Sequence, residues 1–145
     1  MAIEPFLPIE DAPGYGSIVW TRFPEEVGKP GPKPRPALVL ATALNDKHKP
    51  PFATLQCAYG TSNLKLDNPV SKTHLIIQNI RALNQFRLPQ ATRFDLGNIL
   101  WLPWSERFFE PRDGGLTPKI GELDAHYIQK LELLKAVRAA MKVKK

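Results

Sequence analysis

The sequence is short of several things, and each shortage narrows its function. It has one cysteine, Cys57, so an internal disulfide is impossible. No apolar run approaches the ~20 residues that span a bilayer. Residues 1–11 carry acids and prolines where a signal peptide would have a basic segment and an apolar core, so no secretion signal is read there. The three histidines, His48, His74 and His126, stand without cysteine or carboxylate at ligand spacing, which argues against a metal site. Phosphate-binding loops of the G-x-x-x-x-G-K kind, the nucleophile elbow G-x-S-x-G and the dinucleotide fingerprint are all missing. The expectation is a cytoplasmic protein with no cofactor.

Proline and positive charge are plentiful by comparison. The chain has 145 residues, 15 prolines and a formal net charge of +6. Its isoelectric point near 9.6 favours polyanionic partners. The length suits one domain over residues 14–145, preceded by an arm over residues 1–13 that drapes on the domain or is partly disordered.

Residues 28–40 combine these features. Pro30, Pro32, Pro34 and Pro36 lack an amide proton and have a fixed φ, so they favour an exposed, extended loop. The aliphatic residues 37–42 read as a buried strand. Lys29, Lys33 and Arg35 therefore sit on a loop that burial does not explain, and an anion is their natural partner.

Further strands are expected at residues 17–23, 52–59 and 73–77, and a brief helix at 79–86. Residues 92–95 and 98–102 read as two strands broken at Gly97, the second ended by Pro103. Residues 111–118 are a turn. Leu123, Tyr127, Leu131, Leu134, Val137 and Met141 share one face of a terminal helix of about 20 residues. Short strands, tight turns and one late helix describe a mainly β domain, a small bent sheet or partly open barrel closed by that helix.

Three clusters could carry chemistry. Arg35 offers a rigid fork of donors suited to phosphate, although an exposed loop arginine often has no role. Thr61, Ser62 and Asn63 follow a strand, where hydroxyls either bind phosphate or cap a turn. Arg93 and Asp95 lie two apart on a strand and so share a face, as a catalytic carboxylate beside a cation or as a plain surface salt bridge. Cys57, in an apolar strand, reads as core. Trp20, Trp101 and Trp104 read as core or interface, with base stacking open to an exposed one.

Together, Gly16 to Trp20, the loop into Arg35-Pro36-Ala37-Leu38-Val39-Leu40, Thr61-Ser62 and Arg93-x-Asp95 resemble the PemK/MazF family of toxins from bacterial toxin–antitoxin modules. The likeness runs over most of residues 14–142. It implies an SH3-like barrel, a homodimer, an antitoxin partner and metal-independent cleavage of single-stranded RNA. The family's active-site roles fall on Arg35, Thr61 or Ser62, Arg93 and Asp95. RNA contacts are expected from Lys29, Lys33, His48, Asn63 and Lys65. The PemK branch has a histidine six residues before the loop arginine, where this chain has Lys29; either Lys29 or His48 would have to serve. The competing expectation is a non-catalytic barrel that binds nucleic acid or protein.

Overall fold

The computed structural model describes residues 5–25, 29–64, 73–112 and 115–143. Six strands form one antiparallel sheet: β1 (Ser17–Thr21), β2 (Arg35–Asn45), β3 (Phe52–Thr61), β4 (His74–Ile77), β5 (Thr92–Pro103) and β6 (Lys119–Glu122). Their order is β4-β5-β3-β2-β1-β6, so the sheet is open, with β4 and β6 at its ends. Helix α1 (Ile80–Phe86) follows β4, and α2 (Ala125–Val143) ends the chain.

Strand alternation gives the sheet two buried faces. Ile18, Leu38, Ala58, Leu75, Ile77 and Phe94 face one way and pack with Phe86 of α1 and Tyr127 and Leu131 of α2. Val19, Ala37, Val39, Leu55, Cys57 and Leu102 face the other way and meet Trp104, Phe108 and Phe109. The arm closes this second face. Leu7 packs on it, the Leu7 amide donates to the Trp104 carbonyl at 2.9 Å, and the Trp104 indole donates to the Pro8 carbonyl at 3.0 Å.

Several boundaries differ from the sequence reading. Strand β2 begins at Arg35, inside the proline-rich segment. Pro36 fits because neither neighbour calls on its amide: Trp20 donates to Pro118 O and accepts from Glu110 N, and pairing with β3 begins only at Ala37. Gly97 does not end a strand; β5 runs unbroken from Thr92 to Pro103. Ala58 pairs with Ile99 and the next residue, Tyr59, with Asp95, so Leu96, Gly97 and Asn98 form a bulge. An odd number of extra residues reverses the alternation. Phe94 and Leu96 face the α-helices, whereas Leu102 and Trp104 face the arm.

Strand β6 escaped the sequence reading; Ile120 is the one deeply buried residue in its four. Helix α1 starts where expected because the Asn79 side chain accepts from the amides of Arg81 and Ala82. Helix α2 has 19 residues, and its first turn is held by the Tyr127 amide on the Asp124 carboxylate at 3.0 Å. Its expected apolar face is only half used. Tyr127 and Leu131 are buried and Leu134 packs on the core, but Val137 and Met141 are exposed.

Candidate functional site

Chain pairing gathers the expected residues. Ala37 of β2 lies opposite Tyr59 of β3, and Tyr59 lies opposite Asp95 of β5. Thr61 lies opposite Arg93. Arg35 precedes Ala37 by two residues, so alternation puts Arg35, Thr61, Arg93 and Asp95 on one face of three adjacent strands. With strands ~4.8 Å apart, the backbones of β2 and β5 are about 10 Å apart there. A small cleft of about 80 Å³ opens at this end, walled by Trp20, Arg35, Thr61, Ser62, Gln90 and Thr92. Gly60, in its wall, permits a close approach of β2 and β3: a methyl group there would run into the Pro36 carbonyl oxygen and sit 2.9 Å from the Phe94 ring.

Thr61, Arg93 and Asp95 have defined partners. The Thr61 hydroxyl accepts from the Asn63 amide at 3.2 Å, which leaves its own proton to donate. The Asn63 carbonyl accepts from Arg93 Nε at 2.9 Å, tying the turn to β5. Ser62 is exposed and Arg35 half-buried. Among the described residues Arg93 and Asp95 make no direct ion pair; His74 stands between them. Arg93 Nη1 lies 3.1 Å from His74 Nδ1. Because guanidinium only donates, Nδ1 must accept, and the imidazole proton sits on Nε2. His74 Nε2 lies 3.9 Å from Asp95 Oδ1, too far for a hydrogen bond.

The His74 side chain is only 6% exposed. Burial pushes its pKa below the ordinary value; the Asp95 carboxylate opposes this and the Arg93 guanidinium reinforces it. Asp95 Oδ1 accepts from the Gly97 amide at 2.7 Å, so the bulge aims the carboxylate. From α2, Arg138 reaches the same place, donating to the Thr73 hydroxyl at 3.4 Å beside Gly97.

Other expected residues lie elsewhere. Lys29 is exposed and lines a separate cleft with Glu25 and Pro30. Its loop folds back on the end of β1: Gly31 N donates to Arg22 O and Arg22 Nη1 to Pro32 O, both at 3.0 Å. Lys33 is exposed on that loop. His48 is at the far end of the β2–β3 hairpin, against Phe6 and Phe52. Ten residues of strand separate Arg35 from Asn45, which at ~3.3 Å per residue is roughly 30 Å. Within one chain, then, His48 does not join the Arg35 cluster. Lys65 lies outside the described residues.

Sequence reasoning passed over His74 and Arg138. No local signal marks either; His74 matters because β4 pairs with β5 so that His74 faces Asp95. Among the described residues no group of three or more His, Cys, Asp or Glu is placed to hold a metal ion, and no helix is long and apolar enough to cross a membrane. No family model matches the chain, and no curated protein matches it.

Proposed function

We propose that this protein is a metal-independent endoribonuclease, the toxin of a toxin–antitoxin module of the PemK/MazF kind, with an SH3-like barrel, acting in the cytoplasm as a homodimer. The observation that supports this most is the shared sheet face of Arg35, Thr61, Arg93 and Asp95. Cleavage without metal needs a base for the ribose 2′-OH, positive charge for the developing phosphorane and a proton for the leaving 5′ oxygen. Asp95 is cast as the base that takes the 2′-OH proton, and water gives the leaving 5′ oxygen its proton. Arg35 and Arg93 supply charge, since guanidinium surrenders a proton reluctantly. The Thr61 or Ser62 hydroxyl donates to the scissile phosphate. His74 holds Arg93 by accepting from it and is a positioning residue. The products are a 2′,3′-cyclic phosphate and a 5′-hydroxyl. An antitoxin with an acidic segment would cover Arg35 and Arg93.

The test is incubation with single-stranded RNA in excess chelator, for the natural chain and for Arg35→Ala and Asp95→Ala. Cutting by the natural chain and its loss in both variants support the proposal; cutting that survives in both overturns it. The second reading, a binding module without catalysis, is favoured by one observation: Arg93 and Thr61 already serve the local turn, through Asn63. Binding with no cutting would select it.

A further inference from the structure

The cleft beside Arg35 is walled in a way that a phosphate alone does not explain. Three of its lining residues are prolines, Pro34, Pro36 and Pro89. Proline has no amide proton, so these walls offer an anion none of the backbone donors that line a phosphate nest. Trp20 adds an aromatic ring to them. Arg35, Thr61 and Ser62 line the same cleft and supply a guanidinium and two hydroxyls. A nucleotide matches the mixture, with its phosphate on the donors and its flat base against proline and indole.

Gln90 completes the lining from the turn between α1 and β5, where it is exposed. The Thr92 hydroxyl donates to the Gln90 carbonyl at 2.8 Å, which fixes that turn. The Gln90 side-chain amide makes no hydrogen bond among the described residues. It carries an acceptor oxygen next to a donor nitrogen. Uracil presents a ring N–H next to a carbonyl, and cytosine a ring nitrogen next to an amino group; the amide complements either by turning over. Size sets the other limit. At about 80 Å³ the cleft is well below the roughly 300 Å³ at which pockets enclose a whole drug-sized ligand, so it suits one ring better than a fused pair. We propose that the cleft is a base pocket of the RNA site, taking the single ring of a pyrimidine from the nucleotide next to the scissile phosphate, with Gln90 as the residue that reads its edge. This rests on reading the Arg35 cleft as an RNA site.

The test titrates the natural chain, Q90E and Q90A with fluorescein-labelled oligouridine, oligocytidine and oligoadenosine of about eight nucleotides, within the usual span of single-strand binders. Their 2′-O-methyl riboses lack the attacking hydroxyl, so binding is read without cutting. The natural chain is expected to bind both pyrimidine polymers about tenfold more tightly than the adenosine polymer. In Q90E the carboxylate only accepts, so it keeps the cytosine amino group and repels the uracil carbonyl. The preference for cytidine over uridine should rise by about tenfold. Q90A should bring both pyrimidine polymers down toward the adenosine polymer. Gln90 is exposed and off the core, so neither change threatens the fold. Equal binding of the three polymers by the natural chain, or binding of none, overturns the proposal. So does a Q90E that weakens all three alike, the mark of added negative charge near phosphates. If the base preference and its switch in Q90E appear yet unmethylated RNA is never cut, the pocket stands and the nuclease reading falls. RNA cut with no base preference in cutting or binding sinks the pocket and leaves the nuclease.

Discussion

Replacing His74 tests the link between the site and the fold. In His74→Ala, Arg93 loses the acceptor that Nδ1 provides at 3.1 Å, a bond to a charged donor worth about 1.5–3 kcal/mol. The ring is almost wholly buried, so its removal also leaves a cavity. The total is about 3 kcal/mol, and roughly 3 °C per kcal/mol at this size gives a fall in Tm of roughly 9 °C. The pH dependence follows from the depressed pKa. The folded chain resists protonating His74 while the unfolded chain accepts the proton, so the unfolded state binds more protons between the two pKa values. Stability is therefore complete above the ordinary value of 6.5 and falls as pH drops below it toward the folded pKa, with a slope of at most about 1.4 kcal/mol per pH unit. His74→Gln keeps a carbonyl acceptor and removes the titration; it should be about 1 kcal/mol less stable than the natural chain and should lack this pH response. Thermal melts by circular dichroism from pH 7.5 to 5 measure all three proteins. A His74→Gln variant whose stability falls with pH as the natural chain's does would refute the reasoning.

Gly60→Ala should destabilise by about 1–3 kcal/mol in urea titration, because the new methyl meets the Pro36 carbonyl and the Phe94 ring. A variant as stable as the natural chain would mean that β2 and β3 do not approach so closely there. Cys57 is fully buried and burial holds its thiol well above its ordinary pKa. It should resist aromatic disulfide reagents until denaturant is added, and rapid native labelling would contradict its place in the core. Removing residues 1–8 should expose Trp104 and lower stability by about 2 kcal/mol or more, since Leu7 packing and the bond to Pro8 O both go; intrinsic fluorescence would shift to the red. If emission and midpoint stay unchanged, the arm does not cover that face.

The central strands were legible because their aliphatic runs are bounded by proline and glycine, as at Leu38 and Val39. The mainly β domain with its closing helix could be read on that basis. The bulge at Gly97 was not legible as a bulge: an odd insertion breaks the local alternation just as a strand end does, and only pairing with Ala58 and Tyr59 tells them apart. Strand β6 carries too few apolar residues to signal itself and depends on β1 for its place. The candidate site was half legible. Arg35, Thr61, Arg93 and Asp95 stand out by charge or by position at strand ends, whereas His74 acquires its significance from a strand contact that no local pattern encodes. The limits of α2 show the same divide. Its helical period is plain, yet which of its turns meet the core is a tertiary fact, and Val137 and Met141 stay exposed.

The sheet is tapered: its outermost members have four residues each, against ten to twelve in β2, β3 and β5. At one margin the backbone around Gly121 lies hard against the Phe86 carbonyl of α1. Such stubby borders present few open amides to a neighbour and guard against edge-to-edge growth into fibres. What these borders offer a neighbour is side chains more than backbone, and α2 leaves apolar ones exposed at Leu133, Val137 and Met141.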